Sequence, residues 1–129
     1  MPVIEIKTVK KYEEDKKISI LKDIDKNLLK NLNMEESRFL INWSTFESSS
    51  FLFKGTNAIA EDKEYPIIHI YTIEGKAEEF EKTLMETVTK TLAEGLNIDY
   101  KIITTILHRI SSGNIYTNDI YLHRYLQGE

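Results

Sequence analysis

Polar and apolar residues alternate in two short stretches of the chain, PVIEIKTV over 2–9 and PIIHIYTI over 66–73. Both are rich in β-branched residues, and each predicts a strand headed by proline. After each strand the apolar period lengthens. Ile18, Leu21, Ile24, Leu28 and Leu32 fall on one helical face, as do Phe80, Leu84, Val88 and Leu92, with Gly95 expected to cap the second helix. Glu13, Glu14 and Asp15 open the first helix and Glu78 and Glu79 the second, where the helix dipole favours negative charge. Each helix is followed by a further apolar run, SRFLINWSTF over 37–46 and YKIITTILHRI over 100–110, each predicting a second strand.

The two patterns are one pattern repeated at an offset of 64 residues, without a gap. Ile4 meets Ile68, Ile6 meets Ile70 and Thr8 meets Thr72; further on, Leu28 meets Leu92, Leu32 meets Leu96 and Asn33 meets Asn97. Conservative matches lie between them: Val9 with Ile73, Leu21 with Met85, Ile24 with Val88, Met34 with Ile98. Generic amphipathicity would match the strands but would not hold the later register, so the chain reads as an internal duplication. Each half is a β-α-β unit, whose crossover makes its two strands parallel and the connection right-handed. Two units predict one α/β domain (a two-layer α+β arrangement), a four-stranded mixed sheet with two helices on one face. Its pseudo-repeats span 2–53 and 66–117, joined by a linker over 54–65 and followed by a tail over 118–129. The other sheet face, carrying Val3, Ile67, Tyr71 and Ile73, lacks cover and predicts self-association. The aromatics Tyr116, Tyr121 and Tyr125 near the end pack either on a neighbouring subunit or on their own domain.

Composition narrows the function classes. A net charge of −4 favours neither nucleic acid nor an anionic membrane surface. No cysteine is present, which removes disulfides, thiolate metal sites and thiol nucleophiles, and fits a reducing compartment. No apolar run approaches the roughly 20 residues that span a bilayer, and the N-terminus lacks a signal sequence, so a cytoplasmic location is expected. The acceptor-like NWS at Asn42–Ser44 is then accidental. His69, His108 and His123 lack ligand spacing, so no metal is expected. Ser48, Ser49 and Ser50 read as a hairpin, not a nucleophile, and no glycine-rich phosphate loop occurs. Trp43 is assigned to the core or a subunit seam.

The stretch PIIHIYTIEGK resembles the P-x-x-x-I-x-x-x-E-G-R opening of the short 4-oxalocrotonate tautomerase type, within the tautomerase superfamily. The whole chain over 2–117 resembles fused tautomerase-like proteins, through STF at 44–46, the strand from Tyr65 to Gly75 and the Y-T-N-D turn at 116–119. The resemblance implies the tautomerase/MIF-like fold, a homotrimer closing into a barrel, no cofactor, and catalysis by an N-terminal proline. It places arginines at Tyr12 and Lys76 and at Leu40 and Thr104, none of which is arginine here. Arg38, Lys10, Lys11 and Lys76 are the substitutes for that clamp, and Phe51 matches the aromatic expected after the second strand.

A terminal proline is a secondary amine, and desolvation lowers its pKa by disfavouring the charged form. Such a base can move a proton alpha to a carbonyl, which is keto–enol tautomerisation. Only Pro2 qualifies, after removal of Met1; Pro66 is an amide, suited to opening a strand where no ladder donor is needed. Two functions remain open. One is an isomerase acting on a small anionic 2-oxo acid or enol through Pro2. The other is a non-catalytic trimeric binding or interaction protein, favoured by the lost arginines. Decarboxylase or dehalogenase chemistry would instead need a charged proline and a water-activating carboxylate, which the residues do not identify.

Overall fold

The alternating stretches fold as β1 (Val3–Thr8) and β3 (Ile67–Ile73), the two central strands of the sheet. A computed structural model describes residues 2–47, 49–55, 57 and 62–117, with the backbone alone of 120 and 121. Between the central strands come α1 (Glu14–Asn31) and β2 (Leu40–Thr45); after them come α2 (Glu78–Leu96), a single 3-10 turn (Tyr100–Ile102) and β4 (Thr104–Ile110). A small hairpin, β5 (Tyr116–Thr117) and β6 (Ile120–Tyr121), follows. The main sheet has the order β2-β1-β3-β4, parallel within each half and antiparallel where β1 meets β3. The expected mixed sheet of two β-α-β units is therefore observed.

Period-2 alternation decides which residues are buried. Ile4 and Ile6 of β1 and Ile68 and Ile70 of β3 point under the helices, against Ile24 and Leu28 of α1 and Leu84, Val88 and Leu92 of α2. These side chains are almost wholly removed from water, and each contributes roughly 1.5–3 kcal/mol of transfer free energy. The opposite sheet face carries Glu5, Lys7, His69, Tyr71, Ile106 and His108, with no element of the described chain laid over it.

The duplication persists in the backbone. A pseudo-two-fold axis passes between Glu5 and His69, which are both cross-strand partners and repeat equivalents. It also passes between Asn27 and Thr91 on the helices, where Asn27 Nδ2 donates to Thr91 Oγ1 at 3.0 Å. Helix ends agree too. Asn33 and Asn97 both adopt left-handed φ, 56° and 55°. Met34 N–H donates to the Leu29 carbonyl and Ile98 N–H to that of Ala93, the closing bond of a Schellman motif in each half.

Three details differ from expectation. Gly95 is not a cap but lies inside α2, two residues before the asparagine that ends it. A Cβ there would stand 2.5 Å from Ile20 Cγ1, so glycine is required for α1 and α2 to approach. The second strands are shorter than their apolar runs: β2 begins at Leu40, and Tyr100–Ile102 forms a turn before β4. Ile73, expected on the bare face, is 8% exposed. The tail over 118–129 falls outside the described residues apart from the β6 backbone, and with it His123 and Tyr125; Ser48 is also outside.

Candidate active site

Because β1 and β3 run in opposite directions, the sheet has two equivalent ends, one at each proline, about 20 Å apart at ~3.3 Å per strand residue. Each proline is buried and heads its strand in the same way. Leu40 N–H donates to the Pro2 carbonyl and Thr104 N–H to the Pro66 carbonyl, both at 3.1 Å.

At the Pro2 end, Val3 is opposite Tyr71 and Thr72 is opposite Arg109. Pro2, Thr72 and Arg109 therefore stand on adjacent strands, on the helix-covered side. Arg109 Nε donates to Glu81 Oε2 at 2.9 Å and Nη2 to Oε1 at 2.8 Å, a bidentate pair across β4 and the first turn of α2. The hydrogen bonds from Arg109 hold the buried Glu81 carboxyl below the usual glutamate range, against the opposing effect of burial. Glu81 in turn raises Arg109, so the guanidinium is firmly charged. After β3 the chain turns at Gly75, whose φ of 93° suits glycine alone. Lys76 follows, with its ammonium 5.6 Å from the centre of the Phe80 ring. Arg38 is exposed and precedes β2, so strand alternation does not tie its side chain to the face of Leu40.

The Pro66 end is filled by its own chain. Glu64, 6% exposed, accepts from Val9 N–H at 2.7 Å, Lys10 N–H at 2.9 Å, Tyr65 N–H at 3.0 Å and the Tyr12 hydroxyl at 2.7 Å. Burial pushes the Tyr12 phenol well above its ordinary pKa, with the Glu64 carboxylate adding to the shift. Trp43 packs edge-on to Tyr12 and donates its Nε1–H to Thr8 Oγ1 at 3.1 Å. Phe46, Phe51, Phe53 and Tyr65 form a connected ring cluster beside them. Lys10 reaches Asp62 at 3.2 Å.

The structure thus divides the residues singled out from sequence. Pro2, Arg38 and Lys76 share one end of the sheet; Lys10, Lys11 and Phe51 lie at the other, beside Pro66. Within one chain the two groups do not meet. Two groups escaped the sequence reading. Glu64 lay in a linker read only as polar; its signal was an acid two residues before the repeated proline. Glu81–Arg109 had no local signal, since its members belong to different elements.

On the uncovered face, His69 Nδ1 and His108 Nε2 are 2.8 Å apart, and the Tyr71 ring stacks on His108 at 4.5 Å. Burial, with a hydrogen bond to Glu5, raises the Tyr71 phenol. Among the described residues no three metal-ligating side chains converge, and no helix is long and apolar enough to cross a membrane.

No family model matches the chain, and no curated protein matches it. Solved structures do. A fused 4-OT, a wild-type asymmetric trimer, superposes with a TM-score of 0.82 at 14% identity, covering 98% of this chain and 99% of that one. Pt0534 inactivated by 2-oxo-3-pentynoate gives 0.82 at 15% identity, with 98% and 99% covered. Macrophage migration inhibitory factor of Toxoplasma gondii gives 0.72 at 15% identity, with 92% and 97% covered. At such identities the agreement is one of fold.

Proposed function

We propose that this chain, which has the tautomerase-superfamily fold, is a keto–enol isomerase of a small 2-oxo acid or enol, with the Pro2 amine as general base in a homotrimer. The observation that carries the reading is the burial of Pro2 at the head of a central strand, with Lys76 and Arg38 at the same end. Burial disfavours the ammonium form of a terminal proline and leaves a neutral base. Its nitrogen takes the proton alpha to the substrate carbonyl, the electron pair moves to the carbonyl oxygen, and the proton returns at the other end of the enolate. A cation beside the oxygen stabilises that intermediate.

Trimerisation is supported by the bare sheet face, where Leu40 and Ile106 are 46% and 40% exposed on the two edge strands. The fused 4-OT of the same fold is a trimer. Light scattering at micromolar concentration should give three times the 15.1 kDa of one chain; a stable monomer would leave that face unexplained.

A second reading, a non-catalytic trimer, is favoured by one observation. Of the positions where the resemblance implies arginines, Tyr12 is bonded to Glu64, and Leu40 and Thr104 cannot carry charge. Phenylenolpyruvate ketonisation separates the two. Protein processed to Pro2 should accelerate it, and the same protein with one added N-terminal residue should not. Equal rates exclude Pro2 as base; no rate above buffer favours the non-catalytic trimer.

A further inference from the structure

Three histidines occur in the chain, and two of them meet on the sheet face that no described element covers. His69 lies on β3 and His108 on β4, 39 residues later, so no spacing along the sequence announces the pair. The strand register makes it. Ile106 stands opposite His69 and His108 opposite Tyr71, so the two histidines are diagonal neighbours on one face. His69 Nδ1 lies 2.8 Å from His108 Nε2, and the two rings are inclined by only 25°. The Tyr71 ring stacks on His108 with centroids 4.5 Å apart, and its hydroxyl donates to Glu5, the cross-strand partner of His69. In the neutral pair one facing nitrogen carries the hydrogen and the other accepts it. When that hydrogen moves to the far nitrogen of its own ring, both facing nitrogens offer lone pairs to one point, with no net change of protons.

Metal–nitrogen bonds of about 2.0–2.1 Å set two ligands roughly 2.9 Å apart at a right angle and about 3.3 Å apart at the tetrahedral angle. The observed separation fits the right angle, which square-planar or tetragonal copper(II) and nickel(II) prefer. Both side chains are half-exposed, so each ring has room to tilt its lone pair off the line between the nitrogens. The surrounding charge suits a cation. Glu5 is an exposed carboxylate on the same face, whereas Lys7 directs its ammonium at the Phe46 ring, 4.6 Å from the centre. Arg109 is committed to Glu81 on the covered side.

We propose that His69 and His108 form a bidentate site for a divalent transition-metal ion, copper(II) foremost, with water completing its coordination. Among the described residues no third ligand converges, so the ion is exchangeable and not a structural centre of three or four protein ligands. The site lies on the sheet face opposite to Pro2, and it stands whether or not the chain is an isomerase.

Calorimetric titration of the tag-free protein with copper(II) chloride at neutral pH tests this, and one ion should bind per chain. His69→Ala and His108→Ala should each weaken binding about a hundredfold, because the second imidazole of a chelate binds intramolecularly. His123→Ala should change nothing. Zinc(II) should bind more weakly than copper(II), and magnesium(II), which takes oxygen ligands, should not bind. In NMR spectra, copper(II) should broaden the His69 and His108 ring resonances first. Acidification through the histidine range should release the ion, since protons compete for the same lone pairs. Circular dichroism confirms that the variants fold; if one does not, the other variant and the broadening decide. Unchanged affinity in a folded His69→Ala or His108→Ala, an equal loss in His123→Ala, or first broadening at the N-terminus overturns the site. The pair would then be a hydrogen bond and nothing more.

Discussion

The two halves share a backbone but not a chemistry, and the contrast is sharpest at their prolines. Around Pro66 the chain has gathered a buried acid and a half-buried tyrosine and tryptophan into one hydrogen-bonded and ring-packed cluster, with four further aromatic rings beside it. Around Pro2 the repeat equivalents of Tyr12 and Trp43 are Lys76 and Leu107, and the one buried acid, Glu81, is engaged by Arg109. A duplicated unit needs its apolar periodicity in both copies, because both copies build one core. It does not need both ends open. The end that cannot hold a free amine is packed by its own chain, while the other has the exposed cations Arg38 and Lys76.

The largest effect tests whether the halves contribute equally to the core. Leu28 and Leu92 are repeat equivalents, each fully buried. Leu28→Ala and Leu92→Ala should each destabilise by about 2–5 kcal/mol, measured by urea unfolding, because each leaves a cavity under the sheet. Losses differing by more than the spread of that range would show that one repeat carries the core and the other rides on it.

Next in size is the filled end itself. Glu64→Ala strands the N–H groups of Val9 and Lys10, and an unsatisfied buried donor costs about 1–3 kcal/mol. Its counterpart Lys76→Ala should change stability by less than ~0.5 kcal/mol, as expected for an exposed substitution away from packed features. Comparable losses at both positions would erase the distinction between a structural end and an open one.

Gly95 breaks the symmetry between the helices. Its repeat equivalent is Asn31, whose Nδ2 donates to Thr87 Oγ1 at 3.0 Å. Gly95→Ala should cost about 1–3 kcal/mol through overpacking against Ile20. Pairing it with Ile20→Val, which withdraws the atom nearest after Cγ1, should recover part of that loss. Simple gain from the better helix former would show that α1 can move aside.

These contrasts also mark what was legible in the sequence. The strands, helices and their repeat were visible because alternation and the 3.6-residue period act locally, at Ile4/Ile68 or Leu28/Leu92 alike. The position of Pro2 followed from them. Gly95 was misread as a cap because glycine serves close packing as well as left-handed turns, and only the neighbouring Ile20 distinguishes the two. Within one chain Lys10, Lys11 and Phe51 lie away from Pro2, because β1 and β3 meet antiparallel and send the ends of the two repeats apart, which local periodicity does not display. Glu64 and the Glu81–Arg109 pair were hidden because hydrogen bonds between distant segments leave no period along the chain.

A pH pair sharpens the comparison of the two ends further. Glu81 has its folded pKa lowered by Arg109. Its stabilising contribution is therefore present above the ordinary glutamate value of 4.5 and is lost as pH falls through the lowered value. Arg109→Gln should remove that protection and move acid unfolding, followed by circular dichroism, to higher pH. The pH of half-unfolding should not move if the pair is only a surface contact.

Tyr12 carries the smallest effect and the opposite sign. Its phenol is half-buried and donates to the Glu64 carboxylate, so ionising it would place two negative charges 2.7 Å apart. Its folded pKa is consequently raised above the ordinary tyrosine value of 10.0. Below that value the phenol is protonated whether the chain is folded or not, and the contribution is fully present. Above it the unfolded chain loses the proton first, so stability falls as pH rises. Tyr12→Phe deletes this dependence along with one hydrogen bond, at a cost of about 0.5–1.5 kcal/mol at neutral pH. The variant should therefore start less stable than the parent and approach it as the pH is raised past 10.0. The open end offers the control, for Lys76→Ala removes no phenol and should leave the alkaline slope intact. Parallel curves for parent and Tyr12→Phe above that pH would mean that Tyr12 ionises as freely in the fold as outside it. The Pro66 end would then be no more closed than the end it is contrasted with.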